Sequence, residues 1–173
     1  MTDPLTIGVA IAVPEPHGSH LRARRAAFGD PAGETVPSHV TLVPPTRIEA
    51  DRVGEVCAAL HAAALTIAPF TMTLRGTGTF RPVSPVVFVT VSRGISYTEM
   101  LEQAVRTRLG TPASAFPFHP HVTVAHHLDD AALDRAYDDL ADFACDFTVT
   151  EVVLYAHTEA TGWTTRSTFP LGP

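Results

Sequence analysis

A four-residue pattern of histidine, valine, threonine and an aliphatic residue occurs twice in this sequence. The first copy is His39-Val40-Thr41-Leu42 and the second is His121-Val122-Thr123-Val124. Alternation of this kind is typical of a strand with one buried face, because successive side chains point to opposite faces of a sheet. The repeat therefore predicts two strands, each of which presents an imidazole and a hydroxyl on one face and is anchored in a core by the other.

The composition is that of a globular protein with a substantial core. Of the 173 residues, 45% are hydrophobic and 17% are charged, proportions that argue against disorder. Twelve basic residues stand against 18 acidic ones, and the formal charge is -6. Tight binding to long nucleic acid is not expected, because it is driven by Lys and Arg neutralising phosphates. We interpret the basic cluster Arg22, Arg24 and Arg25 as the solvated face of a helix.

The cysteines and the N-terminal residues indicate where the protein resides. Cys57 and Cys145 are isolated in the sequence, so we predict that both are reduced and buried. No basic leader is seen, and no apolar run approaches the roughly 18 residues that span a bilayer. We therefore expect a cytoplasmic monomer that has no membrane association and needs no cofactor.

Periodicity and breaker residues predict an alternation of strands and helices. The predicted strands are Leu5–Val13, His39–Val43, Phe70–Leu74, Pro85–Val91, the second motif strand from His121, Phe147–Val149, Val152–Tyr155 and Trp163–Phe169. The predicted helices span 17–28, 50–64, 96–109 and 129–143. The first motif strand is expected to stop at Pro44-Pro45, because proline has no amide hydrogen to donate. Ser96 with Glu99 is expected to form a capping box, and Gly110 to end that helix.

The same arrangement surrounds both motifs. Each motif strand follows a helix and a proline-containing loop, and each precedes another helix. This order predicts an α+β fold in which residues 1–173 form a single bilobal domain. The two motifs would then lie on opposite walls of one cleft.

Two histidines on opposite walls suit the opening of a cyclic phosphodiester. Histidine has an ordinary pKa of about 6.5, so one copy can act as a base while another acts as an acid near neutral pH. In-line attack places the base and the acid on opposite sides of phosphorus. Each threonine, two residues after its histidine, could donate a hydrogen bond to a phosphate oxygen as charge develops. The arrangement requires no metal.

The two motifs and the order of elements around them resemble the two-histidine (2H) phosphoesterase superfamily, which includes 2',5' RNA ligases and cyclic phosphodiesterases. The resemblance implies two pseudo-symmetric lobes of antiparallel sheet with flanking helices around a central cleft. It also implies metal-independent hydrolysis of 2',3'-cyclic nucleotides or of cyclic phosphates at RNA ends, with 2',5' RNA ligation or non-catalytic nucleotide binding as alternatives. On this chain it makes His39 and His121 the catalytic pair and Thr41 and Thr123 the phosphate binders; which histidine is the base is left open.

The residues after the first motif narrow the substrate class. Val43-Pro44-Pro45 stands where the bacterial RNA ligase branch tends to have an aromatic residue followed by leucine and glycine. Together with the acidic charge, this departure favours a small nucleotide or the end of a short RNA over tRNA as the substrate.

Three further residues are candidates for substrate contacts: Arg81, Phe118 and His127. Arg81 follows a glycine-rich turn, and an ordinary loop arginine is an equal alternative. Phe118 precedes the second motif, although an aromatic residue at a strand entry is more often part of the core. His127 has the same strand parity as His121.

A metal site is the weaker interpretation of the histidines around the second motif. His119, His121, His126 and His127 are close in sequence, but no cysteine or nearby carboxylate completes a usual zinc set. His126 and His127 are interpreted as polar residues at the strand end, with a position in the cleft as the alternative for His127. Tyr155 and Trp163 are interpreted as structural.

Overall fold

The computed structural model describes residues 3–173. The strands are β1 Pro4–Ala12, β2 His39–Glu49, β3 Phe70–Thr79, β4 Val86–Arg93, β5 His121–His126, β6 Ala144–Val149, β7 Glu151–Thr158 and β8 Gly162–Pro170. The helices are α1 His17–Ala27, α2 Ala32–Thr35, α3 Val53–Ala64, α4 Ile95–Leu109 and α5 Asp130–Asp139, and a 3-10 turn, Ala50–Arg52, leads into α3.

The strands form two antiparallel sheets of four strands each. The order in the first sheet is β2-β1-β7-β8, and in the second sheet it is β5-β4-β3-β6. Both motif strands, β2 and β5, are edge strands, and they are in contact with each other. The predicted α+β class with two sheet-containing lobes is confirmed. The last two strands, however, return to the first sheet although they follow the second half of the chain.

The main hydrophobic core extends between the two sheets and the helices that cover them. Val40 and Leu42 of β2 enter this core, as do Val122 and Val124 of β5, and all four are buried. The core confirms the inward face that alternation predicted for each motif. That residues 1–173 form one domain stays a prediction, supported by the shared core; Met1 and Thr2 lie outside the described residues.

Strand β2 does not stop at Pro44-Pro45 as predicted but continues to Glu49. Both prolines are exposed, and the pairing of β2 with β1 shifts register next to them. Proline is excluded from central strands, where both sides need amide hydrogens, but it is tolerated at an edge or a bulge. The prediction was wrong because the sequence did not show that β2 is an edge strand.

The predicted capping box of α4 is also wrong. The helix begins at Ile95, directly after Gly94, whose φ is 89°. A Cβ at this glycine would lie 2.8 Å from the carbonyl oxygen of Thr71, so a side chain does not fit. The Thr98 hydroxyl donates to the Gly94 carbonyl at 2.7 Å. The end of the helix at Gly110, with φ of 68°, is as predicted.

Two other elements differ in length from the prediction. Strand β3 was predicted to end at Leu74 but continues through Gly76 and Gly78 to Thr79. A Cβ at Gly78 would lie 2.6 Å from the ring of Phe88. Helix α5 ends at Asp139 rather than near Phe143, while Asp129 caps its start by accepting from the Ala132 amide at 2.8 Å. Neither the packing over Gly78 nor the early end of α5 has a signal in the local pattern.

The structure also bears on the predictions for the cysteines and for membrane-spanning segments. Cys145 is buried, Cys57 is partly buried, and both are free thiols. Within residues 3–173, no helix has both the length and the apolar composition that a membrane span requires.

Candidate functional site

Both motif histidines form the same hydrogen bond with the backbone. His39 Nδ1 lies 2.6 Å from the carbonyl oxygen of Pro37, and His121 Nδ1 lies 2.6 Å from the carbonyl oxygen of His119. A carbonyl oxygen only accepts, so Nδ1 carries the hydrogen in both rings. In the neutral imidazole, Nε2 is then the nitrogen with a free lone pair. Each motif therefore fixes its ring in the tautomer that can accept a proton at Nε2.

Burial sets the protonation of this pair. Loss of solvent lowers the pKa of His39, the hydrogen bond to Pro37 opposes the shift, and the positive charge of Arg25 adds to it. Loss of solvent also lowers the pKa of His121, which lies within electrostatic reach of His119 and His39. Both imidazoles are accordingly biased towards the neutral form, and protonating one of them disfavours protonating the other.

Strand β5 has a β-bulge directly after its threonine. Its pairing with β4 shifts by one residue beyond Thr123, and such an insertion reverses the alternation of side chains. His126 therefore takes the face of the sheet that Thr123 occupies, and it lines the cleft. His127 follows the strand with φ of 55° and is exposed. The prediction that His127 shares the parity of His121 was wrong because a regular period of two was assumed.

Strand β2 has a corresponding irregularity after Thr41, where its pairing with β1 shifts. Leu42 and Val43 are consecutive and both are buried. The two motifs thus share a register shift after the threonine as well as the pattern of four residues. In each, the threonine is the last cleft-facing residue before the alternation changes.

A cavity of about 470 Å³ lies where the two motif strands approach each other. His39, Thr41 and Thr123 are among the residues that line it, and so is His126. Neither threonine hydroxyl has a hydrogen-bond partner within residues 3–173. The structure therefore brings three of the four motif side chains to one cavity, whose volume suits a small ligand.

His121 is not part of the cavity lining but lies beside Thr123, between two aromatic rings. Its ring centroid is 5.0 Å from that of Phe80, in an edge-to-face arrangement at 90°, and 5.1 Å from that of Phe88. Edge-to-face contacts fix the plane of a ring. His121 is thus oriented by packing, whereas His39 opens directly into the cavity.

The first sheet supplies an apolar wall to the same cavity. Tyr155 and Trp163 line it, and the indole lies over Gly8, where a Cβ would be 3.4 Å from the ring. Ala10, Val153 and Tyr155 form a small buried cluster with Trp163 against it, separate from the main core. The interpretation of Tyr155 and Trp163 as merely structural missed this position, because the return of β7 and β8 to the first sheet cannot be read locally.

Arg25 also lines the cavity, although it was interpreted as part of a solvated helix face. Its side chain is only 12% exposed, and its Nε donates to Asp30 Oδ2 at 2.7 Å. Arg24, one residue earlier, is 36% exposed and pairs with Asp139. The charge pattern did not distinguish the two arginines, because the partner Asp30 lies beyond the end of the helix.

The other two candidates for substrate contacts lie elsewhere. Arg81 pairs with Asp134 at 2.9 Å and with Asp130 at 3.5 Å, beside a second depression that the motif residues do not line. Phe118 packs against the main core, in agreement with the core alternative. Their roles as substrate contacts stay predictions, as does that of His127.

The four histidines around the second motif do not converge. His119 lies against Phe80 and Phe88, while His126 and His127 stack on each other with ring centroids 3.6 Å apart. Among residues 3–173, no three or more His, Cys, Asp or Glu side chains are arranged so that they could hold a metal ion.

Comparisons with known proteins agree with this arrangement. The family model of the 2'-5' RNA ligase superfamily matches residues 13–161. A Bacillus cereus (strain B4264) protein named as a candidate phosphoesterase is 29% identical over 145 residues, which is 83% of this chain and 84% of that protein. A similarly named Bacillus thuringiensis (strain Al Hakam) protein is 28% identical over the same shares.

Solved structures show the same fold. Escherichia coli LigT, in its complex with NADP+, superimposes with a TM-score of 0.67 at 20% identity, covering 99% of this chain and 100% of LigT. The protein TT0787 of Thermus thermophilus superimposes with a TM-score of 0.62 at 22% identity, covering 96% of this chain and 97% of that protein.

Proposed function

Because this chain belongs to the 2'-5' RNA ligase superfamily of 2H phosphoesterases, we propose that it hydrolyses cyclic phosphodiesters by acid-base catalysis between His39 and His121. The proposed substrates are 2',3'-cyclic nucleotides or cyclic phosphates at RNA ends. The observation that carries the proposal is the matched anchoring of both rings, which leaves Nε2 of each histidine as the proton-accepting nitrogen. No metal has a role in the proposed reaction.

The proposed reaction moves two protons and exchanges one P–O bond for another. Neutral Nε2 of one histidine accepts a proton from water as the water oxygen forms a bond to phosphorus. The opposite P–O bond breaks, and the other histidine, protonated at Nε2, donates its proton to the leaving ribose oxygen. The product is a phosphate monoester, and the two histidines have exchanged protonation states. The geometry serves either assignment of base and acid.

The threonines are proposed to hold the reacting phosphate. Thr41 and Thr123 face the same cavity from different sheets, and their hydroxyls are free to donate to nonbridging oxygens. Such hydrogen bonds strengthen as negative charge grows on those oxygens in the transition state. They would also place phosphorus between the two strands that carry the histidines.

The apolar wall supports a substrate that carries a planar base. Trp163 and Tyr155 lie beside the motif residues, and bases stack on aromatic side chains without strong sequence preference. LigT, which shares the fold, has been crystallised with 3'-AMP, with ATP and with phosphate. We therefore propose a small nucleotide or a single RNA end as the ligand, and not a long nucleic acid.

The test is a panel of cyclic phosphates that includes 2',3'-cyclic AMP and ADP-ribose cyclic phosphate, each incubated with the protein in chelator. Phosphorus NMR follows the conversion and shows whether a 2'- or a 3'-monoester forms. We expect at least one member to be opened at a rate that chelator does not change. Tight binding with no conversion over long incubation would favour a nucleotide-binding module instead.

The family name makes 2',5' joining of RNA ends a second candidate. In that reaction the 5'-hydroxyl of a second RNA takes the place of water as the nucleophile, and the same two histidines would serve. The formal charge of -6 and the Pro44-Pro45 sequence favour the smaller substrate. Incubation with tRNA half-molecules tests the alternative, because a joined product would establish it.

A further inference from the structure

The structure holds one arginine in the cleft by a carboxylate that is itself almost fully buried. Arg25 is 12% exposed and Asp30 is 5% exposed, and Nε of the arginine donates to Oδ2 of the carboxylate at 2.7 Å. Removing two charges from water costs several kcal/mol per ion, which their mutual attraction offsets only with good geometry and additional hydrogen bonds. A pair with this burial is therefore a built feature of the cleft and differs from a surface ion pair.

Both carboxylate oxygens of Asp30 accept hydrogen bonds from the protein. Its Oδ1 accepts the amide hydrogen of Ala32 at 3.0 Å, and its Oδ2 accepts the amide hydrogen of His126 at 3.0 Å in addition to the Arg25 bond. The Ala32 bond belongs to the turn after α1, whereas the His126 bond reaches the second motif strand. Asp30 thus ties the α1 end of one half to β5 of the other.

The guanidinium of Arg25, in contrast, has hydrogen-bond donors that the described residues do not pair. Within residues 3–173, its side chain makes its sole hydrogen bond and ion pair through Nε. The two terminal amino groups of the guanidinium have no protein acceptor in that part of the chain, and the side chain lines the cavity beside His39, Thr123 and His126. A guanidinium presents its donors in a fixed planar fork, which matches the oxygens of a phosphate.

We propose that Arg25 is the phosphate-binding cation of the cleft, and that Asp30 is a positioning residue that holds it against the second motif strand. The ligand class is a phosphate mono- or diester whose nonbridging oxygens meet the free terminal amino groups of Arg25. This inference deepens the proposed function and rests on it for the identity of the substrate. It does not depend on turnover, because a phosphate can bind without reacting.

Arg25 and the cleft histidines have different roles in this proposal because they differ in whether they titrate near neutral pH. Arginine stays charged at every pH at which the protein is folded. The cleft histidines His39 and His126, by contrast, are held towards the neutral form by burial and by the nearby Arg25 charge, which lower the pKa of each. Arg25 therefore supplies a constant attraction for the anion and leaves the histidines free to carry protons.

The experiment measures binding of inorganic phosphate by titration calorimetry. The test variant is the double substitution Arg25→Gln with Asp30→Asn, which removes both buried charges together and so avoids leaving one unpaired. The control is Arg24→Gln, because Arg24 lies on the same helix but pairs with Asp139 at 2.8 Å outside the cavity. We expect the double variant to bind phosphate about 10- to 100-fold more weakly, as loss of hydrogen bonds from a charged donor implies, and the control to match the wild type.

Two further readouts separate binding from positioning and from the proposed function. With 2',3'-cyclic AMP, we expect Asp30→Asn alone to raise KM while kcat stays within about twofold, because the cation remains but is no longer held. Unchanged phosphate affinity in the double variant, or no phosphate binding by the wild type, would overturn the inference. A wild type that binds phosphate through Arg25 but opens no cyclic phosphate would refute the proposed function and leave the inference standing.

Discussion

The two halves of the cleft share the anchoring of their motif histidines but not their surroundings. His39 and His121 make the same bond from Nδ1 to a carbonyl two residues earlier, and a bulge follows each threonine. Around His39, however, the cavity is open and lined by Tyr155 and Trp163. Around His121, the corresponding space is filled by the rings of Phe80 and Phe88. Under the proposed function, the symmetric parts would carry out the chemistry, and the asymmetric parts would recognise the substrate.

Under the proposed function, this difference predicts on which side of the cleft the body of a substrate would lie. Most of the cavity lining comes from the first sheet and from α1 with the segment that follows it, whereas the second sheet contributes Thr123 and His126. A ligand that extends beyond its phosphate would therefore lie on the His39 side. The His121 side would hold and protonate or deprotonate the reacting group without contacting the rest of the ligand.

The largest effect is expected from His39→Ala, which removes the histidine on the open side. Loss of one acid-base group costs roughly 10²–10⁴-fold in rate. Turnover of 2',3'-cyclic AMP in chelator is the measurement, and His61→Ala is the matched control because His61 is exposed on α3. Full activity in the His39 variant would show that His39 is not an acid or a base in the reaction, and would contradict the two-histidine mechanism.

The pH dependence of kcat/KM is the next largest effect. One histidine must be neutral and the other protonated, so the profile is expected to be bell-shaped. Burial lowers the pKa of both His39 and His121, and both limbs should therefore lie below the ordinary value of about 6.5. We expect kcat/KM to be highest below that pH and to fall as pH rises above it. A maximum well above pH 7 would contradict the lowered pKa values.

Two aromatic substitutions, Trp163→Ala and Phe80→Ala, test whether the two sides of the cleft have different roles. Trp163→Ala should raise KM about tenfold with little change in kcat, because stacking on a base contributes roughly 1–3 kcal/mol. Phe80→Ala should instead lower kcat, because its ring fixes the plane of His121. Steady-state kinetics on 2',3'-cyclic AMP separate the two patterns, and the same pattern in both variants would argue against the division.

The smallest effect compares one strand glycine from each sheet, Gly8 and Gly78, by thermal or urea unfolding. Gly78→Ala would place a Cβ 2.6 Å from the Phe88 ring, whereas Gly8→Ala would make an ordinary contact of 3.4 Å with Trp163. Overpacking typically costs about 1–3 kcal/mol, so we expect that loss in the free energy of unfolding for Gly78→Ala and almost none for Gly8→Ala. Equal losses would show that both halves are packed to the same degree.

The sequence predicted the parts of the fold that depend on local periodicity. Val40 and Val122 are buried and the four predicted helices exist, because alternation and helical spacing reflect burial directly. It did not predict the bulges, which insert a residue without a composition signal and moved His126, not His127, to the cleft. Residue types alone cannot reveal such a change of register.

The parts of the site that come from distant segments were also missed. Trp163 reaches the cavity only because β8 joins the first sheet through β7, and Arg25 is held only because Asp30 folds back beneath the helix end. Both positions depend on tertiary pairing between segments far apart or across a turn. The four motif residues could be singled out because the same pattern occurs twice in the chain, and their roles stay predictions.

The partner of His39 is the most direct point on which the proposed mechanism can be tested. His126 lines the cavity and His121 does not, yet only His121 has its Nδ1 anchored on a carbonyl as His39 does. The measurement is the turnover of 2',3'-cyclic AMP by His121→Ala and by His126→Ala, side by side in chelator. We expect the His121 variant to lose roughly 10²–10⁴-fold and the His126 variant to stay within about tenfold of the wild type. The reverse order would contradict the two-motif mechanism and make His126 the partner of His39.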